Sequence, residues 1–122
     1  MEQSITYDKA KSFAIRIIRL YKELTTRRNE GIMAKQILRC GTSIGANLAE
    51  ALYGSSKRDF INKCRIAEKE AGETKFWLEI LHPTEYISER EYHSLISDIN
   101  ELLCLLAASI KTAEKNLKMG KK

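Results

Sequence analysis

One proline, Pro83, interrupts 122 residues, and glycine occurs only six times. So few backbone breakers over this length argue for long helices. No apolar run approaches the ~20 residues that a bilayer-spanning helix needs. The first residues, MEQSITYDKAK, lack the basic start and apolar stretch of a signal peptide. The expectation is a cytoplasmic chain with no membrane partner. Cys40, Cys64 and Cys104 are odd in number and have no C-x-x-C spacing. Each sits among apolar neighbours in a helical pattern, so buried, reduced thiols are expected. His82 and His93 are too few and too separated in sequence for a metal site. No Ser-His-Asp set and no metal-ligand spacing occurs, and Glu70 and Glu73 lack the Glu-x-x-His pattern of a di-iron bundle. These absences point away from an enzyme and from any cofactor.

What is present suits one soluble domain. Hydrophobic residues make up 43% of the chain and charged residues 30%, and the length suits a single core. At 100° per residue, four amphipathic segments emerge. The first runs from about residue 7 to 27, with Phe13, Ile17, Leu20, Tyr21 and Leu24 on one face. The second, about 32 to 53, carries Met33, Ile37, Ile44, Leu48 and Leu52. The third, about 57 to 81, aligns Phe60, Cys64, Ala67, Ala71, Thr74, Leu78 and Leu81. The fourth, about 89 to 117, aligns Leu95, Ile96, Ile99, Leu102, Leu103, Leu106, Ile110, Ala113 and Leu117. Gly54 is placed to cap segment two in the left-handed region. Ser56-Lys57-Arg58-Asp59 and Ser88-Glu89-Arg90-Glu91 have capping-box spacing, and Pro83 falls in a gap. Connections this short make neighbours antiparallel. The predicted fold is all-α, an antiparallel up-down-up-down four-helix bundle over residues 1–122, with a disordered basic tail at 118–122.

Gly41 and Gly45 stand four apart within RCGTSIGANLAEA. A phosphate-binding loop needs its glycines where a strand meets a helix start, so that free N–H groups face the anion. These lie mid-helix, on the side of Ile37, Leu48 and Leu52, where glycine costs about 1 kcal/mol against alanine. Close approach of another helix offsets that cost, and Cys64, Ala67 and Ala71 of segment three offer a matching small surface. Opposite, Gln36, Arg39, Ser43, Asn47 and Glu50 form a polar stripe. It reads as a solvated face, as a hydrogen-bond network between helices or subunits, or as a contact to a nucleic-acid backbone. Arg39 is expected to meet a carboxylate, from Glu70, Glu73 or a neighbouring subunit.

Some apolar residues fall outside the core stripes. Ile66 and Trp77 form a second stripe on segment three, Ile61 and Phe76 lie on a third side, and Ile15 points away from the core face of segment one. A helix that is apolar on two sides is buried on two sides, so Ile66 and Trp77 are expected at a homo-oligomer interface. Charge is uneven. Residues 1–58 hold 11 Lys and Arg against 5 Asp and Glu, whereas residues 59–122 hold 10 against 11. Lys9, Arg16, Arg19, Arg27, Arg28, Lys57 and Arg58 read either as solvated positions or as a phosphate-contacting surface.

QILRCGTSIGANLAEA, SSKRDFINKCRIAEKEAGETKFWLEIL and YDKAKSFAIRIIRLYKEL together resemble the bacterial four-helix-bundle proteins encoded in ribosomal-RNA intervening sequences. The accessory variability determinant of diversity-generating retroelements looks like a relative. The resemblance spans about residues 7–115. Gln36, Arg39, Ser43, Ile44, Asn47, Ala49 and Glu50 carry its most specific pattern, and Phe60, Ala67, Glu70, Glu73 and Leu78 match in segment three. The chain departs from the pattern with Arg27-Arg28 where Phe-Pro is frequent, and with Glu50-Ala51 where Glu-Gly is frequent. The resemblance implies a homopentameric ring with a basic surface, and nucleic-acid binding, to RNA or DNA, in the retroelement relative, with no established enzyme activity. Two functions follow as expectations: a non-enzymatic nucleic-acid-binding oligomer favouring structured RNA, or a scaffold for a protein partner such as a reverse transcriptase.

Overall fold

The computed structural model describes residues 2–120, with side chains from Ile5 onward. Four helices fill most of it: α1 (Glu2–Thr26), α2 (Ile32–Leu52), α3 (Lys57–Leu81) and α4 (Glu89–Lys118). The described residues contain no strand. α1 starts before Tyr7 because Thr6 and Ala10, buried but not strongly apolar, extend its inner stripe toward the N-terminus. Residues 118–120, expected to be disordered, instead finish α4. Lys118 is its last residue, the Met119 N–H donates to the Lys115 carbonyl, and Gly120, at φ 76°, closes the turn onto Leu117. Lys121 and Lys122 lie outside the described residues.

The helix starts follow local chemistry. Ser56 and Ser88 accept from the N–H groups of Asp59 (3.0 Å) and Glu91 (3.1 Å), the hydroxyl half of the expected capping box, while the Asp59 carboxylate lies against Gly54. α2 has no hydroxyl cap. The Glu30 carboxylate accepts instead from the N–H groups of Met33 (2.7 Å) and Ala34 (3.2 Å). It is an anion at the positive end of the helix. Gly54 is not left-handed, contrary to expectation. Its missing Cβ leaves space for the Asp59 carboxylate, into which a side chain at 54 would collide. The left-handed positions are Asn29 (φ 54°) and Glu85 (φ 69°). Glu85 ends α3 in a Schellman arrangement, with Tyr86 N–H donating to Leu81 and Glu85 N–H donating to His82, both at 3.0 Å.

Each helix packs on its neighbour in sequence, and α1 closes the bundle against α4 through the least extensive of the four contacts. Paired residues climb one helix as they descend the next. Ile17 and Ala10 of α1 meet Gly41 and Gly45 of α2; Arg39 and Glu50 of α2 meet Glu73 and Lys63 of α3. Arg65 of α3 pairs with Glu114 of α4, and Lys9 and Arg16 of α1 pair with Glu101 and Asp98 of α4. The topology is therefore up-down-up-down, as the short connections predict.

The core is most of the expected stripes, joined by Ala34, Cys40, Ala51 and Ile87, whereas Tyr21, Met33, Phe60, Ile96, Leu103 and Leu117 are only partly buried against it and Leu52 is half-buried. Ile61, assigned to an outer side of α3, is buried. Cys40 and Cys64 are buried, and burial pushes the Cys64 thiol up to about 11. Cys104, expected to be buried, is exposed on the outer side of α4. α4 is long and apolar enough, by length and composition, to cross a membrane. Leu95, Ile99, Leu102, Leu106 and Ile110, which give it that composition, are all buried in the bundle. The glycine pair faces α1 and not the Cys64/Ala67/Ala71 surface of α3. The phase of α2 places Gly41 and Gly45 on the flank toward α1, and Arg39 with the polar stripe on the flank toward α3.

Two substitutions separate the roles of the glycines. A Cβ at position 41 would lie 2.9 Å from both Cγ atoms of the fully buried Ile17, inside carbon contact distance. At position 45 the nearest atom is 3.6 Å away, an ordinary contact. Gly45→Ala is expected to stabilise by up to about 1 kcal/mol through helix propensity, and Gly41→Ala to destabilise, because overpacking costs about 1–3 kcal/mol. Urea unfolding of both variants checks this, and shifts of the same sign would refute it. Glu85→Gly should raise the melting temperature. It relieves a left-handed cost of about 1–2 kcal/mol, of which the flexibility of glycine returns about 0.5–1 kcal/mol; a lowered melting temperature would contradict the strain.

Candidate nucleic-acid interface

The polar stripe of α2 divides in two. Arg39 reaches across to α3, donating to Glu73 Oε2 at 2.5 Å and Glu70 Oε1 at 3.3 Å. Glu73 also accepts from the Trp77 indole at 3.2 Å, and Glu50 receives Lys63 at 2.6 Å. Ser43 and Asn47 turn back onto their own helix, donating to the carbonyls of Arg39 (2.7 Å) and Ser43 (2.8 Å). Gln36 is exposed. Arg39 thus has the expected carboxylate partner, and the network joins helices within one chain. The Arg39 hydrogen bond holds the Glu73 carboxyl below its usual range, burial works against it, and Trp77 adds to the lowering. A bond to the charged form favours that form. The Arg39 guanidinium is raised by the same contact.

The seven cations singled out in the sequence do not form one surface. Lys9 donates to Glu101 at 3.2 Å and Arg16 to Asp98 at 2.6 Å, so both close the α1–α4 seam. Arg28 donates to the carbonyls of Glu85 (2.8 Å) and Tyr86 (3.4 Å) and lies over the Tyr86 ring, tying the α1–α2 loop to the α3–α4 loop. Arg19, Arg27, Lys57 and Arg58 make no side-chain hydrogen bond or ion pair among the described residues. Arg27 follows α1, at one end of the bundle, and Lys57 and Arg58 open α3 at the other. The 25 residues of α3 put about 37 Å between those ends.

At the α3 start the antiparallel topology adds cations that the sequence reading left out. Lys111, Lys115 and Lys118 are exposed on the last turns of α4, which run beside the first turns of α3, and none has a carboxylate partner among the described residues. Their i, i+4, i+7 spacing was a visible signal of a shared face. Lys57, Arg58, Lys111, Lys115 and Lys118 therefore lie at one end of the bundle with no carboxylate partner among the described residues, beside Glu114, which Arg65 holds, an arrangement able to contact several phosphates. His82 and His93 also come together. Both approach Glu89, at 4.0 and 3.5 Å, and His82 stacks on Tyr92. Among the described residues, no group of three or more His, Cys, Asp or Glu is placed to hold a metal.

The expected interface residues are partly committed inside the chain. Trp77 is half-buried, packs on the core, and meets Phe76 edge-on at 5.0 Å. Ile66 is 40% exposed. Larger apolar exposures lie on Ile32 (80%), Phe76 (50%) and Ile15 (49%).

A sequence profile for the 23S rRNA-intervening sequence proteins matches residues 2–108. A crystal structure of a protein of unknown function from the S23 ribosomal protein family of Bacteroides thetaiotaomicron VPI-5482 is 50% identical. The match covers 91% of this chain and 99% of that one, with a TM-score of 0.89. Among functionally curated proteins, none matches significantly.

The Arg39–Glu73 pair generates a pH test. Because the folded carboxyl sits below its usual range, the stabilisation is present in full above the ordinary glutamate value, near 4.5, and fades as pH falls through the lower folded value. Both groups are more than a third exposed, so at pH 7 Arg39→Gln should cost no more than about 1 kcal/mol. The gap in melting temperature between wild type and variant should narrow from pH 5 to pH 3; a constant gap would mean that the guanidinium acts through packing alone.

Proposed function

Because the chain belongs to the 23S rRNA-intervening sequence protein family, we propose that it is a non-enzymatic, homo-oligomeric nucleic-acid-binding protein that favours structured RNA. The observation that carries the proposal is the group of free cations at the α3 start and α4 end, Lys57, Arg58, Lys111, Lys115 and Lys118. Each can displace a counterion from a phosphate backbone, and their separation along two adjacent helices suits a surface that tracks a backbone. Their placement also separates them from the cations already neutralised at Lys9 and Arg16.

Self-association is implied by the resemblance, and the exposed apolar residues Ile15, Ile66 and Phe76 are side chains that a subunit contact would cover. Five subunits is the number that the resemblance implies. A ring repeats the cationic end once per subunit, so weak contacts gain by avidity. DNA offers the same backbone charge, and RNA is favoured through the family.

Fluorescence anisotropy with a hairpin RNA tests the reading. Affinity should fall steeply with salt, at about 0.7–0.9 log units per log unit of salt for each phosphate contact. Lys57→Glu combined with Arg58→Glu should weaken binding at least about tenfold at 100 mM salt, since a hydrogen bond to a charged group is worth about 1.5–3 kcal/mol. Lys9→Gln should change it little, because Glu101 already holds that ammonium. Light scattering should give a mass several times the 14.0 kDa of one chain. A monomer at micromolar concentration would refute the assembly. Absence of RNA binding at low salt would refute the nucleic-acid reading and leave the scaffold for a protein partner, such as a reverse transcriptase, in its place.

A further inference from the structure

A cavity of about 440 Å³ opens at the same end of the bundle, between the start of α1, the α2–α3 loop and the last turns of α4. Its size falls within the range of small-molecule sites, about 300–1,000 Å³. The lining divides between apolar and polar groups. Phe60, Leu105 and Ala108 are apolar, Ser109 and Asn116 supply hydroxyl and amide groups from the same face of α4 as Leu105, and Lys57 also lines it. Among the described residues, no carboxylate lines it. A bare cation finds no charged ligand there, and a wholly apolar molecule would leave the amide and hydroxyl groups without partners.

A nucleotide matches that division. Its base is flat and apolar on its faces and polar at its edge, and its phosphate is anionic. Sequence-selective RNA binders take bases from unpaired segments in this way, stacking them on aromatic rings and bonding their edges. We infer that the cavity receives one unstacked nucleotide of a bound RNA, with the base against Phe60 and Leu105, its edge at Asn116 and Ser109, and the phosphate at Lys57. The inference rests on the nucleic-acid reading above and names the part of the RNA that is read. A second cavity on the α1–α4 seam, of about 240 Å³, makes the contrast. Asp8, Asp98 and Glu101 line it with Lys9, and because Lys9 and Arg16 are already paired with Glu101 and Asp98, it offers no free cation to a phosphate among the described residues.

The test compares two RNAs in anisotropy: a blunt duplex, and the same duplex with a four-nucleotide single-stranded overhang. The overhang should bind about tenfold more tightly, within the range for one stacked base. Ala108→Trp fills the cavity from an exposed position, and Phe60→Leu removes the aromatic ring while keeping an apolar side chain. Each should abolish the preference for the overhang while leaving duplex affinity and its salt dependence unchanged, and thermal melts confirm that both variants are folded. Equal affinity of the wild type for the two RNAs, or a preference that survives in both variants, overturns the nucleotide site alone, since duplex binding persists. Failure of either RNA to bind overturns the site together with the nucleic-acid reading.

Discussion

α1 lies directly on α2, where Ile17 rests on Gly41 and Ala10 rests beside Gly45. Without a Cβ at position 41, a β-branched side chain from the neighbouring helix reaches the backbone itself. A rigid helix drawn toward one neighbour is drawn away from the other. The α1–α4 contact is the least extensive of the four, and both cavities open along that seam. Lys9–Glu101 and Arg16–Asp98 span it with long side chains where small apolar residues would not reach. The glycines thus bear on function indirectly. They pack against α1, and the space they close on one side of α1 is matched by the looser seam on the other.

The same economy of contacts decides which charges are free. Interhelical seams take up Arg39, Lys63, Arg65, Lys9 and Arg16, each against a carboxylate one helix away. Exposed pairs of this kind contribute little stability, with a median of about 0–1 kcal/mol. Their larger effect is to remove cations from the set available to a polyanion. Arg28 is withdrawn in a different manner, through two carbonyls and an aromatic face. It occupies a position where the chain departs from the family pattern, and it links two loops that the core alone leaves apart.

The fold was legible because periodicity and caps speak to local physics. The core stripes, the Ser56 and Ser88 caps and the α3 boundaries follow from side chains within one turn of each other. The failures are of another kind. Gly54 has the identity of a left-handed cap, yet it serves the space around Asp59, while Glu85 occupies a left-handed site that its identity disfavours. The partner of the Gly41/Gly45 face was assigned to α3 because small residues were visible there. Helix phase settles the matter, since the polar stripe claims the α3 side and leaves α1 to the glycines. Ile61 and Cys104 exchange places with expectation for the same reason: one sequence position fixes an angle around its own helix, not the distance to the next.

The candidate interface was the least legible part, and the cause is topological. Counting charge by halves of the chain assigned the basic surface to residues 1–58, since residues 59–122 are nearly balanced. An antiparallel bundle does not keep those halves apart. It lays the start of α3 beside the end of α4, so Lys57 and Arg58 from one half share an end of the bundle with Lys111, Lys115 and Lys118 from the other. Many of the acids that balance the second half are held in interhelical pairs: Glu70, Glu73, Asp98 and Glu101 away from that end, and Glu114 beside Lys111 and Lys115 but taken by Arg65. Net charge is a sum over partners as well as residues. A cation contributes to a field that reaches solvent only after its own ion pair has been subtracted, and that subtraction requires knowing which helices are neighbours.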